Sequence, residues 1–271
     1  MTPVADSSVP LESHESGVEI HQTLESTNTL AKERLLQGAK DGHIIIADSQ
    51  TMGRGRKGRT WHSPGGKNIY LSMLVNIKSP ASGLVTLMGA VAVMKSIRQL
   101  CPNPEMVQIK WPNDVLIGEK KIAGVLGEYL TERPGWCVLG IGVNVNARKQ
   151  DLPKSPRWPA SSLSIHLGKQ VDRNGFLATL LSNLRMMRSV LESNGDKIIE
   201  QVRQNSATIG RTVLVSSDGM PPTKCKAVGI DNNGFLLVNG PKGTLTVITG
   251  DVDMTQDNEY RGQQLFHPYG E

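Results

Sequence analysis

Apolar, β-branched runs at 43–48, 69–75, 107–111, 115–117, 122–128 and 136–145 are short and bounded by turn residues, so they read as buried strands. Over 84–100 the chain is apolar on most helical sides, which predicts a central helix. Its cations Lys95 and Arg98 fall late, where the helix dipole favours them, and Pro102 and Pro104 stop it. Over 176–191, Phe176, Leu177, Leu180, Leu181, Leu184, Met187 and Leu191 form one helical packing stripe, and 196–204 predicts a further short helix. Ser26-Thr27-Asn28-Thr29 precedes Leu30, Ala31, Leu35 and Leu36, a helix start with several available caps, ended near Gly38. Strands separated by turns suggest a mixed sheet with long antiparallel hairpins. At about Thr208 the pattern changes to short β-rich runs, 212–215, 224–230, 235–238 and 244–249, with turns at Asn232-Asn233-Gly234 and around Gly240. The expected organisation is α+β: a tail over 1–17, a large domain over 18–207, and a small β-barrel module with its tail over 208–271.

Composition narrows this picture modestly. With 38% hydrophobic and 20% charged residues, the 271-residue chain suits a soluble globular protein with a substantial core. A net charge of +5 permits contact with nucleic acid or acidic metabolites without requiring either. Cys101, Cys137 and Cys225 lie far apart and suggest neither a disulfide framework nor a zinc site, so a reducing cytoplasm is expected. The acidic first 17 residues resemble no targeting signal and are expected to be disordered, and 84–94, the longest apolar stretch, is too short to cross a bilayer.

Chemistry concentrates between Gly53 and Tyr70, GRGRKGRTWHSPGGKNIY, where Arg54, Arg56, Lys57 and Arg59 lie among glycines directly after a strand. Gly53, Gly55 and Gly58 fit a dinucleotide fingerprint, and 53–60 nearly fits a phosphate-binding loop with Arg59 at the lysine position. Both motifs need a helix opening behind the loop, whereas Pro64, Gly65 and Gly66 follow here. A mobile cationic flap that clamps an anion is the better reading, with a solvated basic loop as its plain alternative.

Further pieces fall in a fixed order: Ser26-Thr27-Asn28, Gln50, GRGRKGRTW, NIYLS, KWPND from Lys110 to Asp114, KKIAGVLGE from Lys120 to Glu128, and GIGVN from Gly140 to Asn144. This series closely resembles the biotin protein ligases from about residue 20 to 255. The resemblance implies a catalytic domain related to class II aminoacyl-tRNA synthetases, with an SH3-like barrel appended. It implies biotin and ATP as substrates, Mg²⁺ to shield the triphosphate without a dedicated protein metal site, and biotinyl-5′-AMP as intermediate. The final acceptor would be a lysine on the biotin carboxyl carrier domain of a carboxylase.

By the same resemblance, Ser26, Thr27, Asn28 and Gln50 belong to the biotin pocket, where hydroxyls and amides match a ureido ring's carbonyl and N–H groups. Gly53, Arg54, Gly55, Arg56, Lys121 and Gly124 would complete it. Arg54, Arg56, Arg59, Trp61, Lys110, Asn113, Asp114, Lys121, Gly142 and Asn144 would hold ATP or the adenylate. Lys121, Asp114 and Arg56 are the catalytic candidates: Lys121 for the moving negative charge, Asp114 for the acceptor-lysine proton, and Arg56 as the flap's latch. Structural roles compete for some of these, namely helix capping for the Ser-Thr-Asn group, a turn cap for Asp114 and a solvated strand end for Lys110.

Some family members carry an N-terminal winged helix-turn-helix. Only about 25 residues precede Ser26, so ligase activity without specific DNA binding is expected, together with a possible homodimer. Some members also place an arginine just after the last barrel strand, where this chain has Asp251-Val252-Asp253-Met254-Thr255. Two alternatives stay open. A lipoate ligase or octanoyltransferase would share the fold. A nucleic-acid-binding module would use the basic flap, although 4% aromatic residues supply few stacking platforms.

Overall fold

In a computed structural model, residues 17–76, 82–154, 156–216, 222–241, 243–248 and 251–255 are described. The tail expected over 1–17, apart from Gly17, lies outside them, as do 256–271 and Thr249 of the fourth expected barrel strand. Two units are distinguished, one running to Ala207 and including Asn232–Gly234, the other comprising Thr208–Asp231 and the chain from Phe235 onward.

In the first unit, seven strands form one mixed sheet: β1 (Val18–Leu24), β2 (Ile44–Gln50), β3 (Ile69–Asn76), β4 (Val107–Lys110), β5 (Asp114–Ile117), β6 (Lys120–Tyr129) and β7 (Trp136–Val143). Their order is β1-β2-β3-β7-β6-β5-β4. β1 runs parallel to β2, and every other pairing is antiparallel. Five helices complete the unit: α1 (Thr27–Leu36), α2 (Ser82–Arg98), α3 (Leu163–Leu167), α4 (Arg173–Ser193) and α5 (Asp196–Gln204).

Side chains alternate across a strand, so consecutive apolar residues supply two cores. Ile45, Leu74 and Val138 face α1 and pack with its Ala31 and Leu35. The opposite face carries Val125 and Leu139, which close on Gly89 of α2. α2 is buried between this face and α4 and α5, as its all-round apolar character predicts.

Two elements escape the sequence patterns. β1 is a half-exposed edge strand with little apolar alternation, and α3 has five residues, too few to show a period.

The second unit is an antiparallel sheet of β8 (Thr212–Ser216), β9 (Thr223–Ile230), β10 (Leu236–Gly240), β11 (Gly243–Val247) and β12 (Asp251–Met254), in the order β11-β10-β9-β8-β12. Val213, Cys225, Ala227, Leu236 and Val238 are buried in it. Among the described residues the strand order is open, with β11 and β12 at the edges, so the expected barrel is present as its sheet without a closing pair. Asp251–Met254, taken from sequence to follow the last barrel strand, is itself a strand and pairs with β8.

All three cysteines are free and buried, and burial is the main cause that pushes the Cys137 thiol up to about 12, well away from a reactive thiolate. Among the described residues no helix is long and apolar enough to cross a membrane.

One carboxylate ties β1 and α1 to the residue that leads into β2. Glu19 on β1 accepts from Arg34 Nε and Nη2 of α1 at 2.7 and 3.0 Å, and pairs with His43 Nε2 at 2.9 Å and His21 Nε2 at 3.3 Å. The Arg34 bonds lead in lowering its pKa to about 2, with His43 and His21 adding to them against burial. Because the folded pKa is depressed, the resulting stability is fully present above the ordinary 4.5 and is lost as pH falls towards about 2. Glu19→Gln is expected to lower stability at pH 7 by about 1–2 kcal/mol, solvent screening having trimmed the shift's full value. Thermal melts should show the wild-type advantage shrinking from pH 4.5 towards 2; a mutant curve parallel to wild type across that window would remove Glu19 from the acid limb.

Candidate active site

A patch of the α1-facing side of the sheet lacks side chains. Tyr70 pairs with Gly142 and Ser72 with Gly140 between β3 and β7. Gly142 then pairs with Gly124, and Gly140 with Leu126, between β7 and β6. On β5, Asp114 pairs with Gly124. Facing partners project to the same side, so one row reads Tyr70-Gly142-Gly124-Asp114 and the next Ser72-Gly140-Leu126. Other groups occupy the space left by the glycines. A side chain at Gly140 would meet the Asn28 carboxamide, and one at Gly142 the Trp61 indole. At Gly124 a Cβ would come within 3.0 Å of the same indole and 3.3 Å of Lys121 Nζ.

Over this floor lies a concavity open to solvent. Of the residues singled out from the sequence, Thr27, Asn28, Gln50, Arg54, Gly55, Trp61, Asn113, Lys121, Gly124 and Gly142 line it, joined by Val125, Leu126, Gly140 and Ile141. Gln50 Oε1 accepts from both the Thr27 N–H at 2.9 Å and the Thr27 hydroxyl at 3.1 Å, and Gln50 Nε2 donates to Ser63 Oγ at 2.9 Å. Ser72 Oγ lies 2.8 Å from Thr27 Oγ1 and 2.6 Å from Asn28 Oδ1. Asn28 Nδ2 donates to Glu128 Oε2 at 2.6 Å. The chain of bonds fixes both carboxamides, so their donors and acceptors are set in direction before any ligand arrives.

Cations occupy another part of the wall. Lys121 Nζ lies 2.6 Å from Asp114 Oδ1 and 5.2 Å from the centre of the Trp61 ring. Arg54 Nη2 lies 3.1 Å from Glu128 Oε1, which Lys32 Nζ also approaches at 2.9 Å. Burial raises the Glu128 pKa, but bonds from Asn28 and Lys32 and the charges of Lys32 and Arg54 outweigh it, leaving a carboxylate below its ordinary range. The indole N–H of Trp61 is buried and makes no hydrogen bond among the described residues.

The cationic stretch, expected as a mobile flap, has a defined internal turn. Lys57 has φ 54° and Gly58 φ 71°, and the Arg59 N–H donates to Arg56 O at 3.2 Å. Two left-handed residues inside a four-residue turn are the mark of a type I′ hairpin turn. An antiparallel bridge from Arg54 to Thr60 and the Gly55 N–H bond to Arg59 O at 2.7 Å complete a small hairpin. No helix follows it, so neither phosphate-loop motif has its structural context.

The remaining sequence candidates stand outside the lining. Ser26 is the buried N-cap residue of α1, but its side chain makes no capping bond. Gly53 sits where a side chain would strike the Trp61 carbonyl and Ser63 Oγ. Arg56 Nη1 reaches Asn113 Oδ1 at 3.4 Å, and Arg59 Nε bonds Arg56 O at 3.0 Å. Lys110 is buried, with Nζ 5.2 Å from the Trp158 ring centre, rather than a solvated strand end. Asp114 adjoins the site through Lys121. Asn144 is buried and donates to Ser161 O at 3.0 Å, holding the chain before α3. Ser72, Glu128 and Gly140 join the site from within the NIYLS, KKIAGVLGE and GIGVN strings, although none of them was named as a site residue. Their signals were a hydroxyl inside an apolar strand, a lone carboxylate inside another, and a second glycine two residues from Gly142.

Comparisons with known proteins agree with this architecture. The Biotin/lipoate A/B protein ligase family matches residues 20–146, and the Biotin protein ligase C terminal domain matches residues 208–254. The biotin–[acetyl-CoA-carboxylase] ligase of Mycobacterium tuberculosis is 33% identical over 84% of this chain and 85% of its own length. The bifunctional ligase/repressor BirA of Bacillus subtilis is 32% identical over 86% of this chain and 73% of its own. Among solved structures, the biotin protein ligase from Aquifex aeolicus in complex with biotin and ATP superposes with a TM-score of 0.75 at 27% identity, covering 88% of this chain and 98% of that one. With both domain matches in order and a third of the residues shared with a relative along most of its length, the chain belongs to the biotin protein ligase family.

Proposed function

We propose that this protein activates biotin with ATP, forming biotinyl-5′-AMP and pyrophosphate, and then transfers biotin to a lysine of a biotin carboxyl carrier domain. The observation that carries this is the two-part wall of the pocket: oriented neutral carboxamides and hydroxyls in one part, Lys121 and Arg54 in another. Such a wall suits a molecule with an uncharged ureido ring and an anionic carboxylate. A purely apolar acid, the substrate class of a lipoate-type relative, would offer no acceptor to the second amide protons of Gln50 and Asn28, each of which gives one proton to a protein partner.

In the first step the biotin carboxylate oxygen attacks the α-phosphorus of ATP and the bond to pyrophosphate breaks. Two anions must approach, and negative charge moves onto the oxygens around phosphorus. Lys121 is suited to follow that charge, because its ammonium is a point donor on a flexible stem. Asp114, 2.6 Å away, holds it in place. Mg²⁺ would offset the charge of the polyphosphate. Such an ion is carried chiefly by the nucleotide's phosphates, with few protein carboxylates. In the second step the acceptor amine attacks the anhydride carbonyl, AMP departs, and Asp114 is the nearby base able to take the proton.

Incubation with biotin, Mg-ATP and a biotin carboxyl carrier domain, followed by an avidin blot, should give one labelled acceptor band that depends on all three; no band in the complete mixture would reject the assignment. Lys121→Ala should lower kcat for adenylate formation by about 100-fold or more while changing biotin affinity far less. Stopped-flow adenylation and equilibrium binding separate the two, and an unchanged kcat with raised KM alone would remove Lys121 from the chemical step. Arg56→Gly deletes the side chain that joins the hairpin to Asn113. It should speed biotinyl-AMP escape and label bystander lysines on albumin, and retention of the adenylate at the wild-type rate would relieve Arg56 of the latch role.

A further inference from the structure

Glu128 closes the KKIAGVLGE string but is not among the site residues named from the sequence, and its two carboxylate oxygens divide between separate parts of the site. Oε2 accepts the Asn28 carboxamide at 2.6 Å, while Oε1 lies 2.9 Å from Lys32 Nζ and 3.1 Å from Arg54 Nη2. Asn28 and Lys32 stand on α1 and Arg54 on the cationic hairpin, so one β6 side chain joins three elements.

We propose that Glu128 is a positioning residue that couples closure of the hairpin to the orientation of the Asn28 carboxamide in the biotin pocket.

The geometry supports this in two ways. Asn28 Oδ1 receives Ser72 Oγ at 2.6 Å, and Nδ2 gives one of its two protons to Glu128. With both ends of the amide engaged, it cannot flip, and the second Nδ2 proton remains available to a ligand acceptor. The hairpin is held to the sheet by a charge pair whose carboxylate is shielded, with Glu128 17% exposed and Arg54 47%. A second side-chain contact from the hairpin, Arg56 Nη1 to Asn113 Oδ1 at 3.4 Å, is longer and involves a neutral acceptor. Glu128 also keeps Arg54 neutralised until an anion competes for it, which limits the field the empty pocket presents.

The test uses Glu128→Gln, which keeps the size and an acceptor for Asn28 but loses the charge. Without any ligand, trypsin cleavage after Lys57, followed by mass spectrometry, should run about fivefold faster than in wild type, as expected for loss of a partly exposed ion pair. Lys32→Gln, which leaves the Arg54 contact in place, should be cleaved at the wild-type rate. Arg54→Gln should match Glu128→Gln, and the double variant should be no faster than either. Should Glu128→Gln fail to fold, Arg54→Gln against Lys32→Gln tests the same pair from the hairpin side. With ligand, Glu128→Gln should weaken biotin binding about tenfold and raise KM more than it lowers kcat. Wild-type cleavage in Glu128→Gln, equal acceleration by Lys32→Gln, or additive effects in the double variant would each overturn the coupling. The ligand arm rests on the biotin-ligase assignment. The cleavage arm does not, so the two can fail separately.

Discussion

The bare patch at Gly124, Gly140 and Gly142 constrains everything built above it. A sheet normally covers itself with its own side chains, but three glycines on adjacent strands leave backbone exposed to whatever lies on top. Asn28 and Trp61 descend onto that surface from α1 and the hairpin. A methyl group at Gly140 or Gly142 would lift one or the other. The ligand-facing groups therefore take their height from the absence of side chains beneath them. The same strands stay rigid because their opposite face is packed with Val125 and Leu139 against α2.

Charge is managed by internal pairing. Lys121 is held by Asp114, and Arg54 by Glu128. Each cation thus has a counter-ion before an anionic ligand enters, and binding exchanges one partner for another instead of neutralising a bare charge. That exchange keeps the cost of an empty pocket low while leaving donors poised in place. The Asp48–Arg173 pair at 2.6 Å plays a supporting part nearby: Asp48 Oδ2 also accepts the Gly66 N–H at 2.7 Å, fixing the chain where it returns from the hairpin into β3.

The strands and long helices were legible because burial on two faces writes them in Ile, Val and Leu, as in β2, β3 and the all-apolar α2. The order of motifs was enough to assemble most of the pocket's polar residues, since Asn28, Gln50, Arg54 and Lys121 each sit in a distinctive string. Pairings between elements were less visible. Nothing in the local sequence says that Gln50 serves Thr27 while Ser26 leaves the capping to others, or that Lys110 is covered by Trp158. Glu128 was hidden for the same reason, because its three partners lie about 75 to 100 residues away in the chain. The hairpin inside the cationic flap was not foreseen because its turn places a lysine, Lys57, at a left-handed position where Asn or Gly is the usual signal.

That turn has a mechanical consequence. A glycine-rich loop without internal bonds would have to be ordered residue by residue each time it closed, and each ordered residue costs on the order of 1–2 kcal/mol of backbone entropy. A hairpin that carries its own reverse turn and its own cross-strand bridge between Arg54 and Thr60 keeps its shape when detached. It can then swing as a small stiff paddle about its two roots, near Gly53 on one side and, on the other, ahead of Gly66, which Asp48 holds. Only the freedom of those roots is lost on closing. The cost of sealing the pocket would then scale with two hinges rather than with the length of the segment between them.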